Sequence, residues 1–347
     1  MEFNLDPGQQ LLQDSVRRFV DKAYGFEARS AAIRARVSCN EAHWQTFADN
    51  GWLAAALPEA WGGLGGSLVE TAIIAQQPGR ARAIEPYVGC AVRAAQTLVA
   101  GGTPAQKDRL LPLLADGSRR LALAYGEPAS RSMALPVALE AREAGAGYTL
   151  HGRKSLVPGA RDAHAFIVSA RIEGTTDITL MLVDAGSAGL VRQHLPLHDG
   201  TWAEALHFDG VEVAPDALLG APGAGLPALQ EGLMHGTVAL CAELVGAMEK
   251  VIEITADYLK TRQQFGVPIG SFQALQHRMA DVLLEVEQAR SAVINAAAAV
   301  SDENRVTREK ALSAAKYSVG RIGTRVAEES IQLHGGIGMT WELPLSH

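Results

Sequence analysis

A segment of polar and aromatic residues follows the end of a predicted helix near residue 260. Arg262 is the last residue of that predicted helix, and Gly266 and Pro268 prevent the helix from continuing. A guanidinium can pair with a phosphate through two hydrogen bonds, which a lysine cannot imitate. Gln264 and Gln273 add hydrogen-bonding groups, and Phe265 can cover an aromatic ring. The pattern predicts a phosphate-bearing ligand, whereas an arginine alone would only offset the helix dipole.

A second segment, about seventy residues further on, contains Gln332 and the pair Gly335-Gly336. A glycine pair at this place could simply end a helix, because glycine tolerates the left-handed cap. It could also let a ligand lie against the backbone, since neither residue carries a Cβ atom. The neighbouring glutamine and the distance from Arg262 favour the ligand interpretation.

Several other kinds of site are excluded by their missing patterns. There is no Gly-x-Gly-x-x-Gly opening a helix after a strand, no Walker-type lysine and no Gly-x-Ser-x-Gly nucleophile turn. The histidines, cysteines and acidic residues lack the spacing of metal ligands, so we predict no metal site. The sequence assigns no catalytic residue.

The composition narrows the class of protein. With 347 residues the chain is long enough for two or three domains, and its net charge of −7 argues against a nucleic-acid partner. No run of apolar residues is long enough for a membrane span, and no secretory signal is visible. Three widely spaced cysteines indicate reduced thiols rather than a disulfide framework. We therefore expect a cytoplasmic protein without a membrane partner.

Three regions of the chain, which differ in their pattern of apolar residues, must position these residues. Residues 1–118 show helical periodicity, 119–225 contain short apolar runs between turn residues, and 226–347 return to long helical stripes. The predicted fold is mostly α with a central antiparallel β domain and a C-terminal helical bundle.

Both C-terminal segments, together with motifs along the rest of the chain, resemble the acyl-CoA dehydrogenase family. The further motifs are Leu5-Asp6-Pro7-Gly8-Gln9, Gly51-Trp52 with Pro58-Glu59, and Phe208-Asp209-Gly210-Val211-Glu212-Val213-Ala214-Pro215. The resemblance implies the helix–β–helix architecture of that family, FAD as cofactor and a dimer of dimers, either homo- or hetero-oligomeric. The opening helix is also similar to that of small subunits of pimeloyl-CoA dehydrogenases.

The resemblance also implies the cofactor contacts. Arg262, Gln264, Phe265 and Gln273 would contact the FAD of a neighbouring subunit, while Gln332, Gly335 and Gly336 would line its adenosine-pyrophosphate end. The flavin ring would rest against the β domain. The matching positions there are Tyr125, Gly126, Leu156, Val157 and Pro158.

Three departures from the family pattern bear on catalysis. Gly126 replaces a threonine whose hydroxyl reaches the flavin, and Ser130-Arg131-Ser132 replaces a Gly-Ser-Asp motif. Leu156 replaces a tryptophan beside the flavin. One branch of the family places the catalytic glutamate where this chain has Gly236.

The other branch places that glutamate in a later segment, some way beyond Gly338. The given sequence ends at His347, before that segment. Glu243 lies about two helical turns past Gly236, and Glu342 has no motif behind it. We expect both to be solvated or structural carboxylates.

The resemblance therefore predicts α,β-desaturation of an acyl-CoA thioester with electron-transfer flavoprotein as acceptor. We expect a subunit that lacks its own catalytic glutamate in a heteromeric complex. Two alternatives stay open, a flavin-dependent monooxygenase or oxidase on the same fold and a non-catalytic structural subunit.

Overall fold

The computed structural model describes residues 5–130 and 133–347. The helices of the N-terminal third begin where local hydrogen bonds predict it. Asp6 and Gln9 form a reciprocal capping box before the first helix, and Thr103 and Gln106 form another before the sixth. The third helix stops before Gly51, which takes a left-handed conformation. These elements are α1 (Pro7–Ala23), α2 (Phe26–Arg34), α3 (Glu41–Asp49), α4 (Leu68–Ala81), a π-helix (Tyr87–Ala94), α5 (Ala95–Gly101) and α6 (Pro104–Ala115).

The middle of the chain forms an eight-stranded sheet in the described residues. The order is β6-β7-β3-β2-β4-β5-β8, with β1 beside β4. Most pairings are antiparallel, as predicted, but β4 runs parallel to both β1 and β2. Parallel partners need a long connection, which a pattern of short apolar runs does not reveal. The strands are β1 (Leu121–Ala124), β2 (Glu140–Ala144), β3 (Gly147–Pro158), β4 (Ala165–Ile172), β5 (Ile178–Asp184), β6 (Leu190–Pro196), β7 (Trp202–Val213) and β8 (Leu218–Leu219).

Three long helices follow the sheet, as the apolar stripes predict. Asn304 caps the last of them by accepting hydrogen bonds from two backbone N–H groups. A small hairpin separates the first two. The elements are α7 (Gly225–Thr261), β9 (Gln263–Gln264), β10 (Val267–Pro268), α8 (Gln273–Ala299) and α9 (Arg305–His334). None of the described helices is both long and apolar enough to cross a bilayer.

Backbone contacts divide the chain into two compact units. We call them the helical unit, with the residues up to Ala32, Leu68–Ala83 and Thr237–His347, and the sheet unit, with Ile33–Ser67 and Ile84–Gly236. In the helical unit α4 packs with α1 and α8, and α8 packs with α9. In the sheet unit two clusters of buried residues form the core. The division into 1–118, 119–225 and 226–347 stays a prediction.

Candidate functional site

The five predicted cofactor residues of the β region come together at the end of β1. The carbonyl oxygen of Gly126 accepts a hydrogen bond of 2.8 Å from the Ser155 backbone N–H. This bond places Tyr125 and Gly126 beside the last residues of β3, which include Leu156, Val157 and Pro158. Arg131 and Ser132, where a family motif is replaced, lie outside the described residues.

Leu156 is in an unusual backbone conformation. Its φ is +48°, and its side chain is 51% exposed although it is a large apolar residue. The register of β3 with β7 shifts between Lys154 and Val157, so the bulge turns Leu156 outward while Val157 is buried in the core. Strained backbone and an exposed apolar side chain together mark a surface that a ligand can cover.

A buried ion pair lies directly beneath this turn. The Lys154 ammonium is fully buried and lies 2.6 Å from the Glu127 carboxylate. It also donates to the carbonyl oxygen of Tyr125 at 3.3 Å and to the hydroxyl of Ser169 at 2.9 Å. Burial outweighs the attraction of Glu127 and lowers the pKa of Lys154 to about 8.

Glu127 completes this buried network. Its carboxylate accepts hydrogen bonds from the backbone N–H groups of Ala138 and Leu139, at 2.7 and 3.0 Å. The network thus fixes the backbone of the predicted flavin-side turn to the core. Our sequence reasoning missed it, although a lysine within an otherwise apolar strand is a signal that could have found it.

The predicted phosphate-binding segment forms a tight hairpin between α7 and α8. Strands β9 and β10 are joined by Phe265 and Gly266, whose φ values are +54° and +78°. Two successive positive φ angles define a type I′ turn, in which glycine is free of strain and phenylalanine is not. Phe265 is 90% exposed, and its ring meets that of Phe272 edge-on, with the centroids 6.2 Å apart.

The polar residues of the hairpin face solvent. Gln264 and Gln273 are exposed, and so is Arg262. Within the described part of the chain, no hydrogen bond or ion pair engages the Arg262 guanidinium. Its backbone carbonyl oxygen accepts a hydrogen bond of 2.8 Å from the backbone N–H of Ile269, and this bond closes the hairpin. The segment therefore presents an unpaired cation and two amide side chains together.

The glycine pair lies at the end of α9 in the same unit. Gly335 has φ +64° and ψ −141°, a region essentially open only to glycine. A Cβ atom on Gly335 or Gly336 would meet no atom of this chain within 4 Å, so both backbones are open to an approaching group. Gln332 is exposed beside them.

One ring contact links the two C-terminal segments. Tyr258, one turn before Arg262 on α7, stacks on His334 with the ring centroids 4.4 Å apart. His334 immediately precedes Gly335. The stack brings the ends of α7 and α9 together, so the structure places the hairpin segment and the glycine pair in one region of the helical unit.

The position matched to the family glutamate has no carboxylate. A Cβ atom on Gly236 would lie 2.8 Å from the Cδ atom of Arg93 and closer still to its Cγ and Nε atoms. The side chain of Arg93 therefore fills the volume beside Gly236. Glu342 is exposed, and Glu243 is half-buried with interactions of its own.

His235 precedes this position on α7. Burial lowers its pKa to about 4, because desolvation disfavours the imidazolium. Its Nε2 atom lies 4.0 Å from the nearest carboxylate oxygen of Glu231, and its buried Nδ1 atom has no hydrogen-bond partner among the described residues. His235 is thus neutral at neutral pH.

Other candidate sites add little. Cavities of about 380 and 480 Å³ in the helical unit are lined by none of the predicted cofactor residues. In residues 5–130 and 133–347, no group of three acidic, histidine or cysteine side chains could hold a metal ion. The three cysteines are free and buried.

Comparison with known proteins decides the family. Models of the N-terminal, middle and C-terminal domains of acyl-CoA dehydrogenases match residues 6–118, 122–211 and 223–347. The chain belongs to the acyl-CoA dehydrogenase family. Members of this family are FAD-dependent oxidoreductases that act on CH–CH bonds.

Individual relatives cover nearly the whole chain. A probable acyl-CoA dehydrogenase of Bacillus subtilis (strain 168), YngJ, is 30% identical over 97% of this chain and 90% of its own length. The solved structure of the Tcur3481-Tcur3483 steroid ACAD G363A variant is 32% identical, with a TM-score of 0.87, and the match covers 98% of this chain and 90% of that one. The ChsE4-ChsE5 complex from Mycobacterium tuberculosis is 28% identical with the same coverages and a TM-score of 0.88.

The residues of this acyl-CoA dehydrogenase homologue fit the chemistry of FAD. In the helical unit, Arg262 offers a guanidinium for a phosphate, and Gly335 and Gly336 leave open backbone for a dinucleotide. In the sheet unit, the exposed Leu156 offers an apolar surface for a ring. The individual contacts stay predictions.

Proposed function

We propose that this chain is an FAD-containing subunit of an acyl-CoA dehydrogenase that desaturates an acyl-CoA thioester between its α and β carbons. We further propose that it lacks its own catalytic glutamate and works beside a sister subunit. The observation that carries the second statement is the Arg93 side chain packed on Gly236, where a family branch has the carboxylate.

The chain's own residues would hold the cofactor. Arg262 would pair with the pyrophosphate of a neighbouring subunit's FAD through its two-pronged guanidinium, and Gln264 and Gln273 would add hydrogen bonds to the same cofactor. Phe265 would cover a ring, and Gln332, Gly335 and Gly336 would line the adenosine end. When bound, FAD supplies the acceptor for the hydride that leaves the β carbon.

The flavin-side contacts of this chain would differ from the family pattern. Gly126 has no hydroxyl to offer, so that turn would contact the flavin through backbone groups alone. Leu156 would pack by apolar contact in place of an indole. The buried pair of Lys154 and Glu127 would keep the turn in place.

Proton removal is the step that position 236 cannot perform. Desaturation needs a carboxylate near the α carbon, because the α proton leaves as the hydride departs. A glycine offers no base, and the guanidinium of Arg93 carries only hydrogen-bond donors and no acceptor. We propose that a sister subunit supplies the base in its own acyl site.

The assembly and its electron acceptor are also proposals. Two similar structures, the Tcur3481-Tcur3483 steroid ACAD variant and the ChsE4-ChsE5 complex, each pair two proteins, which supports a heteromeric dimer of dimers for this chain. The similarity to a structure of the electron transferring flavoprotein of Acidaminococcus fermentans, 25% identical with a TM-score of 0.89, supports that kind of acceptor. Three free, buried thiols support a cytoplasmic location.

The visible spectrum of the purified chain tests this function. It is recorded anaerobically, before and after acyl-CoA thioesters of different length are added, with and without the co-expressed sister subunit. We expect a flavin band that bleaches only when the sister subunit is present. Rapid bleaching by this chain alone would show a base within it, and a chain without flavin would be a structural subunit.

A further inference from the structure

The backbone N–H of Gly126 is a hydrogen-bond donor without a partner. Gly126 is buried in the predicted flavin-side turn, and its N–H forms no hydrogen bond within residues 5–130 and 133–347. The groups beside it are paired. Its own carbonyl oxygen accepts from the Ser155 N–H at 2.8 Å, and the Glu127 N–H donates to the Ser130 hydroxyl at 3.2 Å. Since buried backbone N–H groups in native proteins are nearly always paired, this N–H is suited to donate to a bound group.

The other end of the same peptide group is held by Lys154. The peptide bond joins the carbonyl of Tyr125 to the N–H of Gly126, and its atoms lie close to one plane. The Lys154 ammonium donates to that carbonyl oxygen at 3.3 Å. Holding the carbonyl therefore also fixes the direction of the N–H, which points to the opposite side of the trans peptide. A donor on the carbonyl also polarises the peptide group and strengthens its N–H as a donor.

The ammonium of Lys154 is fixed by two further contacts. It lies 2.6 Å from the Glu127 carboxylate and 2.9 Å from the Ser169 hydroxyl. An ammonium group has three N–H donors, and here each of them has its own acceptor, the third being the carbonyl of Tyr125. Lys154 and Ser169 are fully buried. The group thus has a single orientation, set by the core around it.

Filling the core would not need this charge. A methionine would occupy the volume of Lys154 without the cost of desolvating a cation, and apolar residues in place of a buried ion pair are often neutral or stabilising. What the lysine adds is a hydrogen bond of fixed direction to the peptide group of Tyr125 and Gly126.

We propose that Lys154 is a positioning residue for the flavin, which acts through the carbonyl of Tyr125 and directs the N–H of Gly126 towards the bound cofactor. This inference rests on the proposed function, because it takes this turn as the flavin side of the site. Lys154 itself is enclosed in the core and does not touch the cofactor. Two-electron reduction adds negative charge to a flavin, and a hydrogen bond to a charged form favours that form. Lys154 should therefore raise the reduction potential of the bound flavin.

FAD affinity and the reduction potential of the flavin in the assembled protein test the inference. Lys154→Met combined with Glu127→Gln removes both charges, so that no lone charge stays buried. We expect the dissociation constant to rise about threefold for oxidised FAD and about thirtyfold for reduced FAD. This tenfold difference lowers the potential of the two-electron couple by about 30 mV. ADP has no flavin ring, so its dissociation constant should not change.

Ser169→Ala is the matched control. It removes a hydrogen bond of the same buried ammonium and keeps the one to Tyr125. It should change neither the FAD affinity nor the potential. Thermal unfolding of the FAD-free protein shows whether each variant is folded.

Hydrogen exchange adds a measurement on the wild-type protein, for which no variant has to fold. FAD should slow the exchange of the Gly126 N–H relative to the FAD-free protein, because the donor then has an acceptor. Unchanged exchange would show that this N–H does not serve the cofactor, and the inference would be wrong.

The variants can contradict the inference in two ways. If the double variant kept the wild-type affinity and potential, Lys154 would serve the fold alone. If Ser169→Ala had the same effects as the double variant, the change would belong to the core as a whole. A wild-type protein that bound ADP and no FAD would overturn the proposed flavin side of the site, and the inference with it.

Discussion

The side chain of Arg93 lies across the backbone of Gly236, in the volume that any side chain at position 236 would need. These residues are far apart in sequence, and their contact places a cation at the position that we predicted to match the catalytic carboxylate of one branch of the acyl-CoA dehydrogenase family. Neither residue alone would indicate that a cation lies at this position.

Restoring a base at position 236 should require removing this cation. In Gly236→Glu the new carboxylate would pair with Arg93, which would lower the pKa of the glutamate and weaken it as a base. In Gly236→Glu combined with Arg93→Leu the carboxylate would be free. We expect exchange of the α protons of hexanoyl-CoA in D₂O to be on the order of tenfold faster in the double variant.

A matched control for that comparison is Gly236→Gln combined with Arg93→Leu, which has nearly the same shape and no base. It should give no exchange above that of the wild-type chain. Equal exchange in the single and double glutamate variants would contradict the placement of Arg93.

Arg262 should contribute to FAD retention and little to folding. Its guanidinium has no partner in the described part of the chain, so Arg262→Gln should leave the unfolding midpoint of the FAD-free protein unchanged. The dissociation constant of FAD should rise about tenfold or more, and Arg262→Lys should recover only part of the loss.

Lys260 provides the control for Arg262. It is exposed near the same helix end and lies 3.9 Å from Asp257. Lys260→Gln should not change FAD binding measured by flavin fluorescence. A similar loss of FAD in both variants would mean that general positive charge, rather than Arg262, holds the cofactor.

Much of the fold could be predicted from the sequence. Helical periodicity and the capping residues around Asp6 and Thr103 are local signals, so the helices and their starts follow from short windows of sequence. The ion pair of Lys154 with Glu127 and the contact of Arg93 with Gly236 depend on packing between distant segments, which no local pattern encodes. The parallel pairing of β4 was missed for the same reason.

The buried pair beneath the predicted flavin-side turn should be important for stability. Lys154→Met would leave the Glu127 carboxylate buried without its cation, and breaking such a pair typically costs about 3–5 kcal/mol. Chemical denaturation should show a clear fall in the unfolding midpoint. The exposed pair of Arg119 with Asp184 is the control, and Asp184→Asn should cost about 1 kcal/mol or less. Equal effects would argue against a structural role for the buried pair.

His235 should make stability fall in mild acid. Its folded pKa is about 4 and its ordinary value is 6.5, so between these values the unfolded chain binds more protons than the folded one. The stability contributed by neutral His235 is complete above pH 6.5 and is lost as the pH falls towards 4, by at most about 3 kcal/mol. His235→Gln should flatten the fall in unfolding temperature over this range. An unchanged slope would mean that His235 is protonated in the folded protein.

The central claim is that desaturation depends on a base outside this chain. The most direct measurement is deuterium exchange at the α carbon of an acyl-CoA, followed by mass spectrometry, with the FAD-loaded 347-residue chain alone and then with its sister subunit. We predict no exchange above that in buffer for the chain alone and rapid exchange once the sister subunit is added. Rapid exchange by the chain alone would contradict it.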